Sequence, residues 1–216
     1  MTTVRNRRSV EPLSLSTNVF GVLHEKLVFS RRAHVLSNWY ARLIPRQARV
    51  LDVGCGDGLI SALLRSTRPD VQIRGIDVLP RDHARIQVEV FDGIRIPFEN
   101  GAFDVVLLSD VLHHTNDPMT LQREARRVAS QYVIIKDHCR QGFAAAARLR
   151  FMDWVGNARF GIVLEYNYWT DSQWQTAWQE IGLRPESLIT RLGLYSRPVD
   201  WVFGAKLHFI ALLNNC

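Results

Sequence analysis

The chain has 216 residues, 47% hydrophobic and 22% charged, with 13 glycines and 8 prolines. That is enough for one ordinary folded domain, and it excludes collagen-like, disordered and disulfide-scaffold chains. No apolar run reaches the roughly 18 residues of a membrane span, and the net charge of +6 comes largely from arginines scattered along the sequence, the pattern of a solvated surface.

Residues 1–18 are polar, with Arg5, Arg7, Arg8 and Pro12, and read as a flexible basic arm. They lack the apolar core of a signal peptide, so a cytoplasmic location is expected. A single domain is expected over 19–216. It opens with a helical cap over 19–45, where Leu23, Leu27, Val35, Trp39 and Leu43 recur near helical spacing and Pro45 stops the pattern. Short apolar strands then alternate with amphipathic helices: strands at 49–53, 72–77, 87–91, 103–109 and 132–137, helices at 59–66 and 118–128. Only nine residues separate Asp77 from the third strand, so the crossover there must be stunted. Asp117 followed by Pro118 is a sound helix start. After strand five comes an aromatic- and arginine-rich insertion over 140–169. Thr170 and Gln173 form a capping box, Trp174, Ala177, Trp178 and Ile181 the buried stripe that follows, and Gly182 the stop. Late strands at 184–190 and 206–213 would close the sheet. This α/β rhythm predicts a mostly parallel sheet of seven strands with helices on both faces.

Cys55, Cys139 and Cys216 have no CxxC spacing, so neither a disulfide framework nor a zinc site is indicated. The sharpest local signal is Val50-Leu-Asp-Val-Gly-Cys-Gly-Asp-Gly58: a strand enters a glycine turn and a helix follows at once. Glycines there permit a tight turn and close approach of a ligand. The dinucleotide fingerprint GxGxxG would need glycine at position 59, which is Leu59, and that argues against pyrophosphate.

On this turn and three later segments the sequence resembles the class I S-adenosylmethionine (SAM)-dependent methyltransferases, in particular the broad bacterial group called type 11 or UbiE-like. The resemblance covers roughly residues 48–138. Asp52-Val-Gly-Cys-Gly-Asp-Gly58 is similar to the family's first motif, and Gly75-Ile-Asp77 to its second. Phe91-Asp92-Gly93 through Phe98 is similar to the adenine-side segment. Phe103 through His114, followed by Asn116-Asp-Pro118, is similar to the fourth motif. The resemblance implies a Rossmann-like fold, SAM as cofactor, and cofactor contacts at Asp52, Gly54, Cys55, Gly56, Gly58, Asp77, Val78, Asp92, Gly93 and Ser109. Asp77 would take the ribose hydroxyls and Asp92 the adenine amine; carboxylates at 52 and 77 suit a ligand carrying an ammonium and a sulfonium. Cys55 reads as a small filler of the turn rather than a nucleophile.

At the rim where open α/β sheets bind ligands, His113, His114, Asp110, Asp137 and His138 are the candidates for proton transfer and acceptor contact. No metal is expected, because these histidines match no ligand spacing. The chain lacks the Pro-Gly-Gly turn common before strand five and reads Arg127-Val-Ala-Ser-Gln-Tyr132 instead, which leaves the start of that strand open. The expected partner is a small-molecule acceptor, apolar or lipid-linked, under a lid at 140–169 containing Phe143, Phe151, Trp154, Phe160, Tyr166, Tyr168 and Trp169 with Arg148, Arg150 and Arg159. The same segment equally suits a plain helical cap, and its first helix, at 142–154, suits peripheral contact with a membrane. Methylation of RNA and a non-catalytic SAM-binding subunit are the alternative readings, and oligomeric state is left open.

Overall fold

The computed structural model describes residues 15–79, 81–142, 144–157, 167–197, 199–204 and 206–215. The first fourteen residues of the expected arm, together with Phe143, Arg159, Phe160, Tyr166 and Cys216, lie outside the described residues. A single helix, α1 (Leu15–Leu43), opens the fold. It starts four residues inside the stretch expected to be arm, and at 29 residues it is roughly 44 Å long. Five parallel strands follow: β1 (Arg49–Val53), β2 (Gln72–Asp77), β3 (Val88–Val90), β4 (Phe103–Ser109) and β5 (Ala129–His138). Helices α2 (Leu59–Thr67) and α3 (Pro118–Val128) cross between them, and no helix lies between β2 and β3 among the described residues. Then come α4 (Ala145–Asn157), α5 (Asp171–Ile181), β6 (Arg184–Ile189), α6 (Val199–Phe203) and β7 (His208–Asn214). The sheet order is β3-β2-β1-β4-β5-β7-β6, with β7 antiparallel to both neighbours.

Period-two alternation divides the core. Leu51, Val53, Val106, Leu108, Val133 and Ile135 face α3 and α5, while Val50, Val105, Leu107 and Ile134 face α1 and α2. Strands buried on both faces need continuous apolar runs, as these have. The local signals hold: the Asp117 side chain accepts from the Met119 and Thr120 amides, the Thr170–Gln173 capping box is complete, and Gly182 takes the left-handed conformation at φ 82°.

Strand β5 is longer than expected. It begins at Ala129, with no intervening turn, and its first residues are fixed from elsewhere: Ala129 pairs with Phe103, and the Asn215 amide group donates to Ala129 O and Arg126 O. Strand β3 is shorter, three residues rather than five. The chain order reverses between β1 and β4, and that switch point is where an open α/β sheet holds a ligand at its carboxyl edge.

Candidate active site

Strand β1 delivers the glycine turn to that edge. The Gly54 and Cys55 amides both donate to Ile76 O, at 2.7 and 3.2 Å, which fastens the turn to the end of β2. At Gly54 φ is +70°, and a Cβ there would stand 2.5 Å from Val111, so the turn also packs against the residue group beyond β4. Gly56, at φ +59°, has open space where its Cβ would be. Asp77 reaches back into this turn: one carboxylate oxygen accepts from the Gly56 amide at 2.7 Å and the other from Leu79 at 3.0 Å. Val78 is exposed and lies in contact range of Gly93 (3.0 Å from a built Cβ). Asp92, also exposed, accepts from the Ile94 and Arg95 amides through one oxygen, and these bonds hold its carboxyl below the usual range.

Asp52 and Cys55 sit deeper. Asp52 is 3% exposed, behind the turn rather than on its open rim, and accepts a 2.6 Å bond from Ser61 of α2. Burial pushes its pKa up to about 7 despite that bond, with Asp77 adding to the rise. Cys55 fills the gap left by Gly75, whose Cβ would lie 2.6 Å from its sulfur. Burial pushes the thiol far up, so it is no nucleophile. Gly58, at φ +72°, leads into α2.

On the other side of the switch point, β4, β5, β7 and α1 assemble a buried polar chain. Ser109 Oγ is 2.8 Å from the Tyr40 hydroxyl. The next residue, Asp110, is forced to φ +58°, a conformation that costs a non-glycine residue about 1 kcal/mol or more. Its carboxylate accepts from Arg32 of α1 at 2.5 Å and from Lys136 of β5. Lys136 is fully buried, and its ammonium also stands 3.4 Å from His208 Nδ1. Asp137, 1% exposed, accepts from the Leu112 amide, the His138 amide and His113 Nδ1, the last at 2.6 Å. His138 Nδ1 lies 3.3 Å from His113 Nδ1, and Tyr168 covers both rings with centroids 5.9 and 5.8 Å away. The His114 ring lies with its centroid 3.9 Å from that of His113, the two planes tilted by 47°.

Charge settles the protonation pattern. Burial favours neutral Asp110, but Arg32 and Lys136 outweigh it and hold the carboxyl well below the usual range. Asp137 is likewise held low, by His113, against its own burial. An ionised Asp137 fixes a hydrogen of His113 on Nδ1 and stabilises the charged ring. Burial, then the charge of His113, draws His138 down to about 4, so it is neutral. Burial and Arg32 lower Lys136 to about 8 in spite of Asp110. Donor atoms of Asp110, His113 and His138 come within 4.8 Å of one another, but two cations already occupy Asp110 and oppose a third.

All fifteen residues expected at the site therefore gather along one sheet edge, in two groups joined where Gly54 meets Val111. Arg32, Tyr40, Lys136 and His208 belong to the second group and were not expected there, whereas Tyr168 comes from the aromatic segment expected on the acceptor side. Lys136 carried a readable signal: it interrupts the apolar run Val133-Ile-Ile, and a lysine enters a core only when paired.

Residues 28–188 match the family model described as a methyltransferase domain. The 27-O-demethylrifamycin SV methyltransferase of Amycolatopsis mediterranei is 32% identical over 195 residues, 79% of this chain and 66% of that protein. The ubiquinone biosynthesis O-methyltransferase of Xanthomonas axonopodis is 34% identical over 96 residues, 38% of this chain and 39% of that protein. The chain thus spans two thirds or less of the length of these relatives. Among solved structures, a SAM-dependent methyltransferase of Thermotoga maritima superposes with a TM-score of 0.64 at 15% identity, covering 93% of this chain and 97% of that one.

Proposed function

The chain belongs to the methyltransferase-domain family, and from that premise we propose that it transfers the methyl group of SAM to an O, N or C atom of a small-molecule acceptor. One observation carries the reading: Asp77 is clamped to the Gly56 amide beside a turn that is open at Gly56. Such a cradle fits an adenosyl sulfonium. Asp77 would hold the ribose hydroxyls, the glycine turn the methionyl part, and Asp92 with Val78 and Gly93 the adenine. Bound there, SAM supplies a methyl group on a sulfonium that is already a good leaving group, and an acceptor atom takes it in line.

The protein's own work is orientation, exclusion of water and disposal of a proton. Asp137 orients His113 through Nδ1 and stabilises its protonated form, the role a carboxylate plays beside a general base. His114, His138 and Asp110 complete the acceptor side. Tyr168 lies across His113 and His138, which supports an acceptor lid over 140–169. In the rifamycin relative named above the acceptor is a small molecule by its name, and the same class is proposed here.

Calorimetry with SAM and S-adenosylhomocysteine, on protein stripped of endogenous ligand, tests the reading. The wild-type chain should bind both and Asp77→Ala neither; silence from the wild type, or retained affinity in the variant, would overturn the assignment.

A further inference from the structure

Four of the exposed large hydrophobic side chains lie on two neighbouring helices: Phe151 on α4, and Val199, Trp201 and Val202 on α6. Trp201 is 70% exposed and Phe151 54%. The helices are tied to each other, since the Phe151 ring stacks on Phe203 with centroids 6.1 Å apart and Arg148 donates to Val202 O at 2.8 Å. Exposed apolar side chains held on two tied helices mark a contact surface. It also lies on the side of the sheet that matters: β5 ends and β7 begins at the pair His138↔His208, so the start of α4 and the end of α6 flank the carboxyl edge.

Charge says what the cluster meets. Along 140–157 the sequence has Arg140, Arg148 and Arg150 against the single acid Asp153. Arg140, Arg150, Arg197 and Lys206 are all exposed. The acid of α6, Asp200, is half-buried and accepts from the Tyr195 amide. An exposed tryptophan with aliphatic neighbours, bordered by cations, is the composition of a helix lying in a lipid headgroup layer. No helix among the described residues is long and apolar enough to cross a membrane, so the contact is peripheral.

We infer that the α4–α6 surface docks on an anionic lipid bilayer, with Trp201, Val202 and Phe151 inserted at the headgroup level and the surrounding arginines over acidic headgroups. Vesicle binding needs no cofactor, and the inference therefore stands or falls separately from methyl transfer.

Flotation of the full chain with vesicles of equal parts phosphatidylcholine and phosphatidylglycerol provides the test, beside vesicles of phosphatidylcholine alone. Binding is expected on the anionic vesicles and should weaken steeply with added salt. Trp201→Ser should lower it at least about tenfold. Arg197→Gln and Lys206→Gln should each lower it about fivefold. All three residues are exposed, so the thermal midpoint should stay unchanged and report that folding is intact. No binding by the wild type, equal binding to both vesicle types, or full binding by Trp201→Ser would overturn the inference. So would light scattering that shows a stable dimer dispersed by Trp201→Ser, which would assign the surface to a second copy of the chain.

Discussion

Replacing Asp52 with Asn makes a sharp test of the electrostatics under the glycine turn. Asp52 is buried, bonded to Ser61, and titrates at about 7, whereas in the unfolded chain it should titrate near 3.9. The folded state therefore binds more protons than the unfolded state over roughly pH 4 to 7, and stability must fall as pH rises through that window. Full development of the shift is worth about 4 kcal/mol above pH 8, and relaxation around a buried carboxylate reduces that to about 2–4 kcal/mol. Asparagine keeps an oxygen that can accept from Ser61 but never ionises. Denaturant unfolding of both proteins at roughly pH 5 and pH 8 isolates the effect, because every other titrating group cancels in the difference. About 1.5 kcal/mol of the full shift is already developed at pH 5, so Asp52→Asn should gain about 1–3 kcal/mol relative to wild type between the two conditions. Parallel stabilities at both pH values would show that Asp52 is ionised in the folded chain and that its burial has been misread.

Two further outcomes follow from geometry already described. Asp137→Asn removes the charge that orients His113, so methyl transfer to acceptor should fall about 100-fold or more while SAM affinity, measured by calorimetry, stays within a fewfold. Thr170→Ala removes the side-chain half of the α5 capping box and should cost about 1 kcal/mol in denaturant unfolding, with cofactor affinity unchanged.

What could be read from the sequence was what neighbouring residues determine. The Asp117-Pro118 start, the Thr170–Gln173 box and the Gly182 stop are each completed within a few positions, and each stands where expected. The glycine turn and Asp77 were legible because a strand, a tight turn and an acid some twenty residues on leave a local trace. Position along the edge does not give contacts. Arg32 meets Asp110 across 78 positions and Lys136 meets His208 across 72, and nothing in either neighbourhood names its partner. The same holds for Asp52, whose hydrogen bond comes from Ser61 on the next helix. The start of β5 was illegible for a related reason: Ala129 is held by pairing to Phe103 and by Asn215 from the far end of the chain. The length of α1 escaped because its apolar positions, unlike its ends, do not separate one helix from two.

The first helix grips two consecutive residues at the end of β4, Tyr40 on Ser109 and Arg32 on Asp110. The site is therefore not a property of the sheet alone. A truncation that begins at β1, where the alternating pattern starts, would keep every recognisable motif yet leave Ser109 and Asp110 without these two partners. Conversely, exchanging that helix for a different one would change what holds Ser109 and Asp110 without altering a single motif residue.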